Sequence, residues 1–191
     1  MKEKDFIEFA RTVGKLKRIP RTGWKIKKIK NPESVADHSF RTALLGMVLS
    51  DLENMNTEKI MRMLLLHDIE ESVSGDINAV YKAKMNKEYL KEKQERALQV
   101  VYSSLPGNLR NEYLSLWKEM EECKTREAKF CRDVDKLEMM IQASDYEDED
   151  KRNRKKLSEF WSEKFKDINV PKRVESIVKI YKELKREMKY E

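Results

Sequence analysis

Apolar residues along this chain recur at steps of three and four, the spacing that puts side chains on one face of an α-helix. The clearest examples are Leu44, Leu45, Val48 and Leu52; Ile60, Met63, Leu64 and Leu66; and Val174, Ile177, Val178, Tyr181, Leu184 and Met188. No segment alternates apolar and polar residues as a half-buried strand does, and 5 glycines and 4 prolines are too few for a turn-rich β-sandwich. The sequence therefore predicts an all-α fold, built as an orthogonal array of helices.

Breaks in the helical pattern divide the chain into its predicted elements. Segment 18–32, with a proline, a glycine and a run of lysines, is predicted to be a loop with little regular structure. Segment 147–156 is almost entirely charged, so it is expected to be an exposed connection or a helix end. Pro171 is expected to begin a last amphipathic helix over about 171–190. With 191 residues and no internal repeat, the chain 1–191 is expected to form a single domain.

Composition argues against a membrane protein and favours the cytoplasm. No apolar run approaches the ~20 residues that span a bilayer, and Met1 to Asp5 do not begin a signal peptide. Cys123 and Cys131 lie eight residues apart in one helical stretch, too far for a disulfide, so they are expected to be reduced thiols. The 41 basic and 35 acidic residues give a net charge of +6. Most of these charges should be solvated helix surface, with attraction of an anionic ligand as the alternative.

Both histidines of the chain fall on positions that should face the core. His67 and Asp68 directly follow the apolar run that ends at Leu66, and His38 shares a helical stripe with apolar residues. A divalent cation would satisfy a buried imidazole and carboxylate, whose burial without partners would cost several kcal/mol. The alternative is structural: His67 caps or packs, Asp68 accepts a local hydrogen bond, and His38 is an ordinary core histidine.

One acidic residue interrupts another apolar stripe. Steps of four place Asp135 among core positions of its helix, which makes it a further candidate ligand. The alternative is a salt bridge to Arg132 or Lys136. Asp133 shares its side of the helix with three basic residues, and is therefore expected to be a solvated carboxylate.

The order His38, His67-Asp68, Asp135 resembles the H…HD…D pattern of the HD-domain metal-dependent phosphohydrolases. Residues 67–76, HDIEESVSGD, are similar to the HD-x-x-E-x-x-x-GD segment of their 5′-deoxynucleotidase branch. Further segments similar to that branch are Arg21–Trp24, Glu33–Ser39, and Asp135–Glu138 followed by Gln142-Ala143. The resemblance spans a motif-bearing core of about 6–165.

This resemblance implies an HD-type helical fold, one divalent metal ion, a homodimer, and release of phosphate from (deoxy)ribonucleoside 5′-monophosphates. The implied metal ligands are His38, His67, Asp68 and Asp135. Glu71 and Asp76 would be the catalytic and substrate-side acids, and Trp24 the aromatic residue of the substrate loop. Bacterial members place an arginine directly before that tryptophan; here position 23 is glycine, and Arg21 is the nearest candidate.

Each of these last side chains also has an ordinary interpretation. Glu71 lies four residues after His67 and could act on a water or on the leaving group, or be a surface glutamate. Asp76 could accept a hydrogen bond from the sugar 3′-hydroxyl or simply belong to a turn. Trp24 could stack on a substrate base or anchor its basic loop to the core.

Two other functions fit parts of the pattern. The same metal site could serve a triphosphohydrolase or a hydrolase of a signalling nucleotide, and a basic helical chain could be a non-enzymatic nucleic-acid-binding module. No helix-turn-helix or zinc-finger pattern supports the latter, so nucleic acid is not the expected partner. Mixed nitrogen and oxygen ligands suit Mn, Co, Fe, Ni, Zn or Mg without selecting among them.

Overall fold

Helices are the regular elements of the part of the chain that the computed structural model describes, residues 1–161 and 173–188. The α-helices are α1 Glu3–Val13, α2 Thr22–Ile26, α3 Val35–Leu52, α4 Thr57–Leu66, α5 Glu71–Ser74, α6 Ala79–Lys84, α7 Lys87–Tyr102, α8 Gly107–Glu122, α9 Arg126–Glu149, α10 Asn153–Leu157 and α11 Glu175–Glu187. Gly14–Arg18 and Ser158–Trp161 are 3₁₀ helices. These residues form no strand, which confirms the all-α prediction. None of their helices combines the length and apolarity needed to cross a bilayer.

Side-chain caps fix the first residues of α3, α4 and α9, the three helices that pack together in the main core. Ser34 and Asp37 form a reciprocal capping box at the start of α3. Asn56 accepts a hydrogen bond from the Lys59 amide at the start of α4, and Thr125 does the same for Ala128 in α9. The starting residue sets which side chains of each helix face inward.

The structure refines three predicted boundaries. Segment 18–32 is not wholly a loop, because it contains the short helix α2. Segment 147–156 contains a helix end, which was one of its two predicted alternatives, because α9 ends at Glu149; Glu147 within it is buried, with a hydrogen bond from the Trp161 indole. Pro171 lies outside the described residues, and α11 begins only at Glu175.

The expectation of a solvated Asp133 is wrong. Asp133 is completely buried, and its carboxylate accepts hydrogen bonds from the backbone amides of Arg173 and Val174 and from the Arg173 guanidinium. These amides precede α11 and have no helical acceptors of their own. The basic neighbours within α9 gave no sign of this partner, which comes from a segment 40 residues away.

Helices α3, α4 and α9 pack around the main core. The buried side chains here include Ala43 of α3, Ile60, Met63 and Leu64 of α4, and Cys131, Val134 and Leu137 of α9. Gly46 marks the closest approach of α3 to α4, because a Cβ atom built at this position would lie 2.1 Å from Leu64 Cδ1. Close helix packing at this point therefore depends on the absence of a side chain.

We expect Gly46→Ala to lower the free energy of unfolding by about 1–3 kcal/mol, because a methyl group there forces the buried Leu64 out of its position. Urea denaturation followed by circular dichroism measures this change. Gly14→Ala is the matched control: its added methyl meets no atom within 4 Å, so stability should be unchanged or up to ~1 kcal/mol higher. Equal stability of the two variants would contradict the packing argument.

Candidate metal centre

Four side chains from three distant segments converge at one end of the α3, α4 and α9 packing. His38 comes from α3, His67 and Asp68 from the turn after α4, and Asp135 from α9. His38 Nε2 lies 3.3 Å from His67 Nε2 and 3.2 Å from Asp135 Oδ1, and His67 Nε2 lies 3.2 Å from Asp68 Oδ2. The break in the helix after Leu66 lets two adjacent residues point to the same place.

The second nitrogen of each imidazole fixes what the first can do. His38 Nδ1 donates to the Glu138 carboxylate, and His67 Nδ1 donates to the Leu64 carbonyl at 2.6 Å. A neutral imidazole that donates from Nδ1 carries a lone pair on Nε2. While both rings are neutral, the two facing Nε2 atoms are therefore both acceptors and cannot satisfy each other.

The group needs a cation, because nearly all of its polar atoms are hydrogen-bond acceptors. Asp68 and Asp135 add carboxylate oxygens, which are also acceptors, to the two Nε2 atoms. Among the described residues, Arg21 is the hydrogen-bond donor that reaches the group, through Asp68. Ligands bound at about 2.0–2.2 Å to one metal ion lie roughly 3 Å from one another. The separations of 3.2 to 3.8 Å among His38, His67 and Asp135 suit a divalent ion held by these three side chains, and Asp68 lies beside them, with Oδ2 3.2 Å from His67 Nε2.

The pKa values of His38 and Asp135 show that this group favours a positive charge. Burial and the Arg21 charge lower the pKa of His38, but hydrogen bonds to Asp135 and Glu138 outweigh them and raise it to about 9. Burial opposes ionisation of Asp135, yet its hydrogen bond to His38 and the His67 charge hold its pKa well below the usual range. Without a metal the site thus takes up a proton, which a metal ion must displace.

Arg21 and Asp76 connect the substrate loop predicted from the sequence to this centre. Arg21 Nη1 donates to Asp68 Oδ2 at 3.0 Å. The Asp76 carboxylate accepts a hydrogen bond from the Thr22 amide, and the Thr22 hydroxyl donates to the Asp76 carbonyl at 2.9 Å. Gly75, with φ +73°, makes the sharp turn that brings Asp76 back to the loop.

Glu71 is not a surface glutamate. Its side chain is 2% exposed at the start of α5, and Oε1 accepts a hydrogen bond from Lys82 Nζ at 3.3 Å. Burial raises the pKa of the Glu71 carboxyl well above its usual range; the Asp68 charge adds to this effect and Lys82 opposes it. Burial thus favours the neutral form of this carboxyl relative to an exposed glutamate.

Trp24 does not present its ring to a ligand. The indole is 2% exposed, stacks on Phe160 at 5.1 Å and meets the edge of Tyr146 at 5.4 Å. Its Nε1 donates to Glu33 at 2.8 Å. The expectation of base stacking is therefore replaced by the other interpretation, in which Trp24 anchors the loop to the core.

The sequence analysis did not predict Glu138 and Arg41, which hold a candidate ligand in place through hydrogen bonds. Glu138 is completely buried, bonds His38 Nδ1, and accepts a 2.8 Å hydrogen bond from Arg41 Nε. Arg41 also reaches the Asp145 and Gln142 side chains of α9. Glu138 and Arg41 each lie three residues after a predicted ligand, on the same helix face, and this spacing is the signal that could have revealed them.

Comparison with known proteins identifies a matching family and similar named proteins. A sequence model described as HD domain matches residues 13–175. The human protein named 5′-deoxynucleotidase HDDC2 is 38% identical over 185 residues, which cover 96% of this chain and 86% of that protein.

Two solved archaeal structures are similar over almost their whole length. A conserved hypothetical protein from Pyrococcus furiosus is 33% identical, with a TM-score of 0.71 over 94% of this chain and 99% of that one. A protein from Pyrococcus horikoshii is 34% identical, with a TM-score of 0.72 over 93% of this chain and 99% of that one.

We expect Glu138→Gln to weaken metal binding about 10–100-fold, because loss of the carboxylate makes His38 a less basic and less fixed ligand. Titration of the metal-stripped protein with Mn²⁺ or Co²⁺ by calorimetry measures the affinity. Glu149→Gln, an exposed change on the same helix, is the control and should bind like the wild type. Wild-type affinity in Glu138→Gln would show that the carboxylate does not support the ligand.

Proposed function

The chain belongs to the HD domain family, and from this we propose that it is a metal-dependent 5′-deoxynucleotidase that releases phosphate from (deoxy)ribonucleoside 5′-monophosphates. The observation that carries the proposal is the pair of facing Nε2 atoms, 3.3 Å apart, beside two partly buried carboxylates. The relatives named 5′-deoxynucleotidase support the choice of substrate, since they match most of the chain.

The proposed metal ligands are His38, His67, Asp68 and Asp135, with the identity of the ion left open by their mixed donor set. A divalent cation among them supplies Lewis-acid activation of the phosphoryl group. The two carboxylates balance its formal charge while the imidazoles stay neutral. A phosphate dianion therefore meets no net negative charge at the ligands.

Glu71 is the proposed proton-transfer residue. Its buried carboxyl, with a raised pKa, can take a proton from the attacking water or give one to the leaving sugar oxygen. It lies four residues after His67, and α5 begins at Glu71 itself, so its backbone is fixed relative to the proposed metal ligands.

Arg21 and Asp76 are the proposed substrate-binding residues. A phosphate oxygen arriving beside Asp68 comes within reach of the Arg21 guanidinium, which is already 3.0 Å from that carboxylate. Asp76 holds Thr22 and is proposed to accept the sugar 3′-hydroxyl as well. Trp24 takes part only through the loop that it anchors.

We expect the metal-loaded protein to release inorganic phosphate from deoxyribonucleoside 5′-monophosphates, and Glu71→Gln to lower turnover by about 10²–10⁴-fold with its metal retained. A colorimetric phosphate assay on paired ribo- and deoxyribonucleotides measures both, with metal content taken from elemental analysis. Glu88→Gln, on the exposed start of α7, is the control. Release of pyrophosphate or triphosphate, or full activity in Glu71→Gln, would contradict the assignment.

A homodimer is the proposed assembly, and an apolar stripe on α3 is its proposed interface. Phe40, Leu44, Val48 and Leu52 lie at steps of four and are 69%, 45%, 49% and 74% exposed. Soluble monomers rarely expose a continuous apolar patch of this kind. Two copies of one helix face can cover each other about a two-fold axis, so a second copy fits the stripe.

We expect the wild type to have twice the chain mass by light scattering after gel filtration, and Leu44→Glu to run as a monomer, because it buries a charge in the interface. Val100→Glu, at an apolar position 56% exposed on α7, is the control and should remain dimeric. A Leu44→Glu variant that stays dimeric would move the interface away from α3.

A further inference from the structure

Lys82 is a partly buried cation beside the candidate centre, and it is not one of the proposed ligands or substrate-binding residues. It lies in α6, which begins after Asn78, where the Asn78 side chain accepts a hydrogen bond from the Tyr81 amide. This cap fixes the first turn of a six-residue helix. Lys82 directly follows Tyr81 in that helix, so the cap also fixes the position of the Lys82 backbone beside the site.

The ammonium of Lys82 makes its contact with Glu71. Lys82 Nζ lies 3.3 Å from Glu71 Oε1, and the lysine side chain is 29% exposed against 2% for the glutamate. The charges of Glu71, Asp68, Glu70 and Asp76 all raise the pKa of Lys82, against the effect of burial. Lys82 therefore stays charged at neutral pH and lies between a buried acid and solvent.

The two oxygens of Glu71 are in different situations. Oε1 accepts from Lys82, whereas Oε2 is buried and has no hydrogen-bond partner among the described residues. A buried carboxylate oxygen without a partner is costly unless a water or ligand group completes it. One oxygen is thus fixed by the protein, and the other is left for a group that enters the site.

Building on the proposed phosphomonoesterase function, we propose that Lys82 is a positioning residue, which holds Glu71 through Oε1 so that Oε2 is presented to the reacting groups. Glu71 is reached from α6, an element that carries none of the proposed metal ligands. Proton transfer is sensitive to displacements of about 1 Å, which can cost roughly 10²-fold in rate. A glutamate with a single anchoring hydrogen bond depends on that bond for its position.

The charges around Glu71 support the same role. Burial raises the pKa of Glu71, as do the charges of Asp68 and Asp76, and Lys82 and Arg21 are the cations that oppose them. Removing Lys82 leaves Glu71 as a buried acid without its cation. We expect such a glutamate to reorient or to keep its proton, and in both cases proton transfer slows.

A kinetic double-mutant cycle tests this proposal on the metal-loaded protein. The variants are Lys82→Met, Lys82→Arg, Glu71→Gln and the double variant Lys82→Met/Glu71→Gln, with Lys84→Met on the exposed end of the same helix as control. Each is assayed with the four deoxyribonucleoside 5′-monophosphates and with 4-nitrophenyl phosphate, which has no nucleoside. Metal content and thermal unfolding identify any variant that fails to load or fold.

We expect Lys82→Met to lower kcat about tenfold or more with KM nearly unchanged, because the loss acts through Glu71 and not through substrate binding. Lys82→Arg should recover part of the rate. In the Glu71→Gln background the lysine change should cost little further, because residues that act as a unit are not additive.

Three results would overturn the proposal: a Lys82→Met rate equal to that of Lys84→Met, a higher KM with kcat unchanged, or losses that multiply in the double variant. Activity on 4-nitrophenyl phosphate without activity on any nucleotide would overturn the proposed substrate. The role of Lys82 would then be tested by comparing the same variants on 4-nitrophenyl phosphate. Inactivity of the wild type on every substrate would overturn the proposed function and the role of Lys82 together.

Discussion

The structure is organised around two imidazole nitrogens that face each other at 3.3 Å and cannot bond to each other while both rings are neutral. Both Nδ1 atoms are committed, one to the Glu138 carboxylate and one to the Leu64 carbonyl, so both Nε2 atoms present lone pairs to the same space. Adding Asp68 and Asp135 increases the number of acceptors and not of donors. A buried group of this composition is stable only with a positive charge inside it, and this requirement ties a structural observation to metal-dependent chemistry.

The features predicted well from the sequence are those set by local periodicity. Helical spacing located α3, α4 and α9, and the same spacing showed that His38 and Asp135 lie on stripes facing the core. The apolar run before His67 indicated burial, and the structure buries it. Such signals are sufficient because the backbone of one helix determines which of its side chains share a face.

The features that were missed depend on partners far away in the chain. Asp133 looked solvated because its nearby residues are basic, but its partners are amides 40 residues later. For Trp24 the sequence left base stacking and anchoring of the loop open, and the distant Phe160 and Tyr146, which cover its ring, decide for the anchor. Glu138 and Arg41 were not singled out, and they form one hydrogen-bonded pair between two helices. Helical periodicity carries no information on which distant elements meet.

The packing of the core also determines the chemistry of the site, and Leu64 connects the two. Its side chain occupies the space left by Gly46 on α3, while its carbonyl accepts the hydrogen bond that sets the tautomer of His67. His38 lies eight residues before Gly46 on the same helix, so the distance between α3 and α4 also sets the distance between the two Nε2 atoms. A change that separates these helices therefore affects stability and metal geometry at once. The absence of a side chain at one position in α3 is in this sense part of the candidate metal site.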